Sequence, residues 1–210
     1  MFSFALKHII MNSVLIKTGA VALILFHSLF SAKAQQTRWV VDKMHSAVKF
    51  NVTHLVISEV EGSFRIYDGS MVSENPDFTN AKFDFEVDVN SINTDNSMRD
   101  NHLKSDDFFN AAEFPKMKFV STSFKKKSGN NYTLTGDLTI RNITKKVSFT
   151  VVYGGTTKDG YGNTKAGFRA TGQINRFDYN LKWNSVTEAG NAVVSKEVNL
   201  VLNMQFAQGK

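Results

Sequence analysis

Apolar and polar side chains alternate with a period of two along most of this chain, which fits strands and not helices. Side chains of a strand point to opposite faces in turn, so each alternating stretch has one apolar and one wet face. The clearest case is residues 82–89, where Phe83, Phe85, Val87 and Val89 alternate with Lys82, Asp84, Glu86 and Asp88. Val48, Phe50 and Val52 share a face, and Phe64 and Ile66 follow Gly62 in the same manner. Met117 and Phe119 come after Pro115, and Tyr132, Leu134, Leu138 and Ile140 come after the turn signal at 128–131. Val147, Phe149 and Val151 make a sixth stretch, and Phe168, Ala170, Gly172 and Ile174 a seventh. Val198, Leu200, Leu202, Met204 and Phe206 make the last. The pattern predicts eight strands in one antiparallel domain.

Such a sheet must close on itself or pair with a second sheet to bury its apolar face. At about eight strands a closed barrel has room for packed side chains or one small ligand. Composition separates barrel from sandwich. The chain holds 18 Phe against 5 Tyr and 2 Trp, and Phe brings apolar area without a polar handle. A dense sandwich core draws more on aliphatic side chains, so a barrel with a ligand is favoured. Residues 96–110 lack alternation, and Ser105 with Asp106 and Asp107 predicts the start of a short helix there. The expected fold is therefore all-β, an eight-stranded antiparallel barrel with one or two short helices between strands.

The first 34 residues read differently. Lys7 and Lys17 precede an apolar run from Gly19 to Phe30, and Ser31-Ala32-Lys33-Ala34 follows. That is the pattern of a cleavable signal peptide over residues 1–34, with Met1 or Met11 as its start. The run is shorter than the ~20 residues of a membrane-spanning helix. The expected mature domain is 35–210, periplasmic or secreted, with no stable transmembrane span after cleavage. Of 25 basic residues, Lys7, Lys17 and Lys33 belong to the leader, which has no acid. The remainder is a mildly basic mixture and not a nucleic-acid footprint.

Catalytic and metal constellations are weak. The chain has no cysteine, which excludes disulfides, thiol catalysis and Cys-ligated metals. His45, His54 and His102 match no metal spacing, and no metal or cofactor is expected. Asp42, His45 and Ser46 could be drafted as a hydrolase set, but they are close together on one extended segment and no nucleophile elbow exists. Asp106 and Asp107 are adjacent and point apart, which disfavours paired-carboxylate chemistry. The clusters Arg99-Asp100-x-His102-Leu103 and Arg176-Phe177-Asp178-Tyr179 read first as local salt bridges or caps, and second as groups at a barrel mouth.

Longer motifs carry a resemblance. Trp39 to Asp42, His45-Ser46, Phe50, His54-Leu55 and Val60-x-Gly62-x-Phe64 resemble the opening of the YceI-like family. Ser91-Ile92-x-Thr94, Arg99-Asp100-x-His102-Leu103-x-Ser105-x-Asp107-Phe108-Phe109 and Phe114-Pro115 are similar to its central motif. Gly136 to Ile140 and Ile174-Asn175-Arg176-x-Asp178 are similar to later blocks, whereas Asn142 stands where the family commonly has Gly. The resemblance implies a lipocalin-like barrel, often dimeric and often exported, that holds a polyisoprenoid or other amphiphilic lipid, and it implies no catalytic residues. Strand parity then assigns the apolar lining to Phe50, Val52, Phe64, Phe83, Phe85, Val87, Phe119, Leu138, Phe149, Phe168, Leu200 and Leu202. His54, Arg99, His102 and Arg176 are the candidates for a polar mouth. The expected function is a soluble lipid carrier for transport, storage or sequestration. The alternatives are an enzyme or accessory factor acting on a bound isoprenoid quinone, and an outer-membrane barrel, which the scarcity of Tyr and Trp disfavours.

Overall fold

Alternation becomes pairing throughout the computed structural model, which describes residues 36–190 and 192–209. The signal-peptide pattern at 1–34 lies outside the described residues. The strands are β1 (Thr37–Val41), β2 (Ala47–His54), β3 (Ser58–Phe64), β4 (Tyr67–Ser73), β5 (Lys82–Asp88) and β6 (Ile92–Asn93). After the helix α1 (Ser97–Lys104) come β7 (Lys116–Ser128), β8 (Asn131–Ile140), β9 (Ile143–Lys158), β10 (Thr164–Asn175) and β11 (Glu197–Gln208). Their order β1-β4-β5-β7-β8-β9-β10-β11 returns to β1, which closes an antiparallel barrel of eight strands. Closure removes the free edges that an open sheet would expose.

At one end β2, β3 and β6 prolong β1, β4 and β5, with β2 paired to both β11 and β3. The first two staves are thus each broken by a bend. The break between β1 and β2 is held by Asp42, whose carboxylate accepts from Lys165 Nζ at 2.9 Å, His45 Nδ1 at 3.1 Å and Gln205 Nε2 at 3.2 Å. The Lys165 bond above all holds the Asp42 carboxyl down to about 2. The break between β3 and β4 resets the parity. Ile66, expected on the face of Phe64, is instead 61% exposed, and Tyr67 and Met71 point inward in its place. A bulge at Ser121/Ser123 in β7 does similar work, letting both Phe119 and Phe124 face inward.

The helix is also displaced from its expected place. It begins after Asn96, whose side chain accepts from Arg99 N at 3.0 Å, and it ends at Lys104. Ser105, expected to open a helix, closes this one by donating its hydroxyl to His102 O at 2.7 Å. Serine serves either end, because its hydroxyl can accept from an amide or donate to a carbonyl.

The barrel is sealed at the end opposite α1. There Phe78 meets Trp39 at 5.4 Å, Tyr153 at 5.4 Å and Phe168 at 5.3 Å between ring centroids. Phe124 and Tyr132 stack at 4.7 Å, and the Tyr132 hydroxyl donates to Asp77 O at 2.7 Å. Edge-to-face and offset contacts of this kind fill an apolar end without polar partners.

Candidate functional site

Toward α1 the inward faces leave space across the barrel. They enclose an internal cavity of about 370 Å³, within the range of ligand pockets. All twelve residues of the predicted lining border it, and so do His54, Arg99, His102 and Arg176. Phe149 and Phe168 are buried, whereas Phe50, Phe83, Phe85, Phe119, Leu138, Leu200 and Leu202 are only partly buried despite facing inward. Their remaining surface faces the cavity.

Four wall rings share one arrangement. Phe50 lies over Gly62, Phe85 over Gly69, Phe119 over Gly136 and Phe149 over Gly172, each on a neighbouring strand. A Cβ on any of these glycines would come under 3.0 Å from the ring. Glycine lets each ring lie against the wall and away from the lumen, so these pairs keep the cavity wide while covering the strand backbone. Sequence parity placed the phenylalanines but gave no role to the glycines, which carry no hydrophobic signal.

The mouth is covered by α1, residues 105–114, residues 176–190 and residues 192–196. Arg99 donates through Nε to Thr94 Oγ1 at 2.8 Å and through Nη2 to Thr94 O at 2.7 Å. The buried Asp100 carboxylate accepts from Thr94 N at 2.9 Å and Thr94 Oγ1 at 2.6 Å, so Thr94 ties α1 to the end of β6. His102 faces Phe108 at 5.1 Å and Trp183 at 5.6 Å, with its Nε2 2.9 Å from Asp107 Oδ2. Arg176 is 3% exposed and donates to the carbonyls of Ser195 (2.9 Å), Leu181 (2.8 Å), Trp183 (2.6 Å) and Val194 (3.3 Å). Burial pushes its guanidinium below the usual arginine value.

Strand parity missed the cap residues, among them Phe108, Phe109, Leu181 and Trp183, all of which line the cavity. Irregular backbone has no period from which to read a face. It also missed Arg141 at the tip of the β8–β9 hairpin. Arg141 Nη1 reaches Asp106 O at 2.9 Å, Phe108 O at 2.7 Å and Asn180 O at 2.8 Å, which clamps the two cap segments together. Arg141 and Asn142 both hold positive φ, 50° and 59°. Asparagine tolerates that conformation, so Asn142 holds the turn without strain.

The drafted hydrolase residues partly converge, because the turn at 42–45 brings Asp42 and His45 into contact. Ser46, however, spends its hydroxyl on β11, donating to Gln205 O at 3.3 Å and accepting from Gln205 N at 2.9 Å. None of the three lines the cavity. Asp106 and Asp107 serve different partners, Arg141 and His102. Among the described residues no cluster of three metal-ligating side chains exists.

Comparison with known proteins agrees with this architecture. The family model for the YceI-like domain matches residues 39–206. A UPF0312 protein of Staphylococcus aureus strain MSSA476 is 37% identical over 172 residues, covering 81% of this chain and 98% of that protein. The crystal structure of a Campylobacter jejuni YceI protein is 30% identical, with a TM-score of 0.64 over 75% of this chain and 90% of that one. A polyisoprenoid binding domain from Saccharophagus degradans, implicated in plant cell wall breakdown, shares the fold at 14% identity. Its TM-score is 0.61 over 81% of this chain and 98% of that one.

Proposed function

Since the chain belongs to the family of the YceI-like domain, we propose that it is a binding protein whose barrel encloses the tail of a polyisoprenoid or similar amphiphilic lipid. The observation that carries this reading is the cavity itself, which is walled by phenylalanine and aliphatic side chains whose free surface faces the lumen. Packing normally leaves few voids larger than a water molecule, so an apolar space this large fits an occupant. The polyisoprenoid is supported by the family resemblance and by the description of the Saccharophagus degradans domain, whose likeness to this chain extends to the fold.

In this reading the protein is a carrier and not an enzyme, serving transport, storage or sequestration. It works in the periplasm or outside the cell, a location supported by the signal-peptide pattern of residues 1–34 alone. Among the described residues no helix is long and apolar enough to cross a membrane. The outer faces of β5 and β7 carry Glu86 bridged to Lys116 at 2.7 Å and to Lys118 at 3.2 Å, chemistry unsuited to a lipid-facing band. The test is to purify the protein from its native host, extract it with organic solvent and identify what it held by mass spectrometry. A long-chain amphiphile in near-stoichiometric amount is expected. Repeated native preparations that release no lipid would overturn the reading.

A further inference from the structure

We propose that the cavity takes an amphiphile with an anionic head group, a carboxylate or phosphate seated at the rim formed by His54, Arg99 and Arg176. The proposal rests on the lipid-binding reading and narrows its ligand class. Among the described residues, the titratable side chains bordering the cavity are Lys49, His54, Arg99, His102, Lys118 and Arg176, and no Asp or Glu borders it. Lys49 and Lys118 leave toward solvent, being the exposed neighbours of Phe50 and Phe119 in strand alternation. The other four lie at the capped end and are joined by contacts. Arg99 and His102 are one helical turn apart. His102 touches Trp183, whose carbonyl accepts from Arg176, and Arg176 also donates to Val194, which bridges to His54.

The two arginines of this rim are poorly compensated. His102 has a carboxylate partner in Asp107, whose side chain is 59% exposed on the solvent side. Arg99 bonds Thr94 alone, and the adjacent Asp100 spends Oδ1 on that same threonine. Arg176 is held by carbonyl oxygens, with the Phe177 ring 4.2 Å from its Cζ. Carbonyls satisfy N–H groups but do not cancel a full charge, and a buried charge is costly until an opposite one joins it. Among the described residues the His54 ring has no hydrogen-bond or ion-pair partner. An anion entering with its tail in the apolar lumen meets donors in a low-dielectric setting, where charge-assisted bonds are strong. A neutral head group supplies no such compensation.

The test is equilibrium binding of hexadecanoate, hexadecanol and hexadecylamine to the lipid-stripped protein, read by Trp183 fluorescence or calorimetry. The carboxylate is expected to bind about tenfold more tightly than the alcohol, and the amine most weakly. Arg176→Gln removes bonds that hold the cap together, so Arg99→Gln and His54→Gln on the rim carry the test. Each is expected to weaken carboxylate binding about tenfold more than hexadecanol binding, which erases most of the carboxylate preference. Equal binding of carboxylate and alcohol, or a preference that survives in both variants, overturns the anionic head group and leaves the cavity reading standing. Failure of all three probes overturns the lipid-binding reading and the head-group proposal with it.

Discussion

A phenylalanine ring resting on a glycine is the smallest unit of this wall. At Gly62 the groups a Cβ would meet are all side-chain atoms, the Phe50 ring and Thr94 Cγ2 at 2.9 Å. The strain of Gly62→Ala must therefore be relieved by side-chain movement, and the ring has only the lumen to move into. Overpacking of this kind costs about 1–3 kcal/mol. Gly62→Ala should destabilise the protein by that amount in denaturant unfolding and weaken binding of a long apolar tail. Adding Phe50→Leu should recover much of both losses, since the smaller side chain vacates the space. Additive losses in the double variant would show that the ring and the glycine are not coupled. Half of this unit was legible in the sequence. Alternation placed Phe50, Phe85, Phe119 and Phe149 inward, but the glycine opposite each ring follows from register between strands far apart in sequence.

At the scale of elements, eight of the eleven strands were readable, whereas β1, β4, β6 and the bends were not. Parity is a local property, so it holds within β5 or β8 and fails where a stave breaks, as Ile66 shows. The helix was displaced for a related reason, since serine caps either end and it is Asn96 that accepts the amide at the start. The β1–β2 bend yields a pH prediction. The Asp42 carboxyl falls from 3.8 to about 2 on folding. A lowered carboxyl stabilises the fold above its ordinary value and loses that contribution as pH falls through its folded value. The shift corresponds to about 2 kcal/mol, and the Asp42 side chain is only 13% exposed, so screening removes little of it. Wild type should exceed Asp42→Asn by about that amount at neutral pH. The gap should close between about pH 4 and pH 2, measured as unfolding free energy against pH. A gap constant over that range would contradict the assignment.

On the scale of the whole molecule, one closed sheet does two things with the same face. Near Trp39 and Phe78 the inward side chains touch and seal the barrel. Toward α1 they part around the cavity, and the cap tied down by Arg141 and Arg176 covers the opening. If this lumen holds an apolar tail, affinity should follow the length of that tail, because burial does. Each five-carbon isoprene unit is worth roughly 3–4 kcal/mol before ordering costs. The most direct test is a series of prenyl compounds with one fixed head group and increasing length, with binding followed through Trp183 at the cavity wall. Affinity should rise about tenfold or more per added unit and then level off once the lumen is full. Affinity that stays constant as the tail lengthens would contradict a tail held in the lumen.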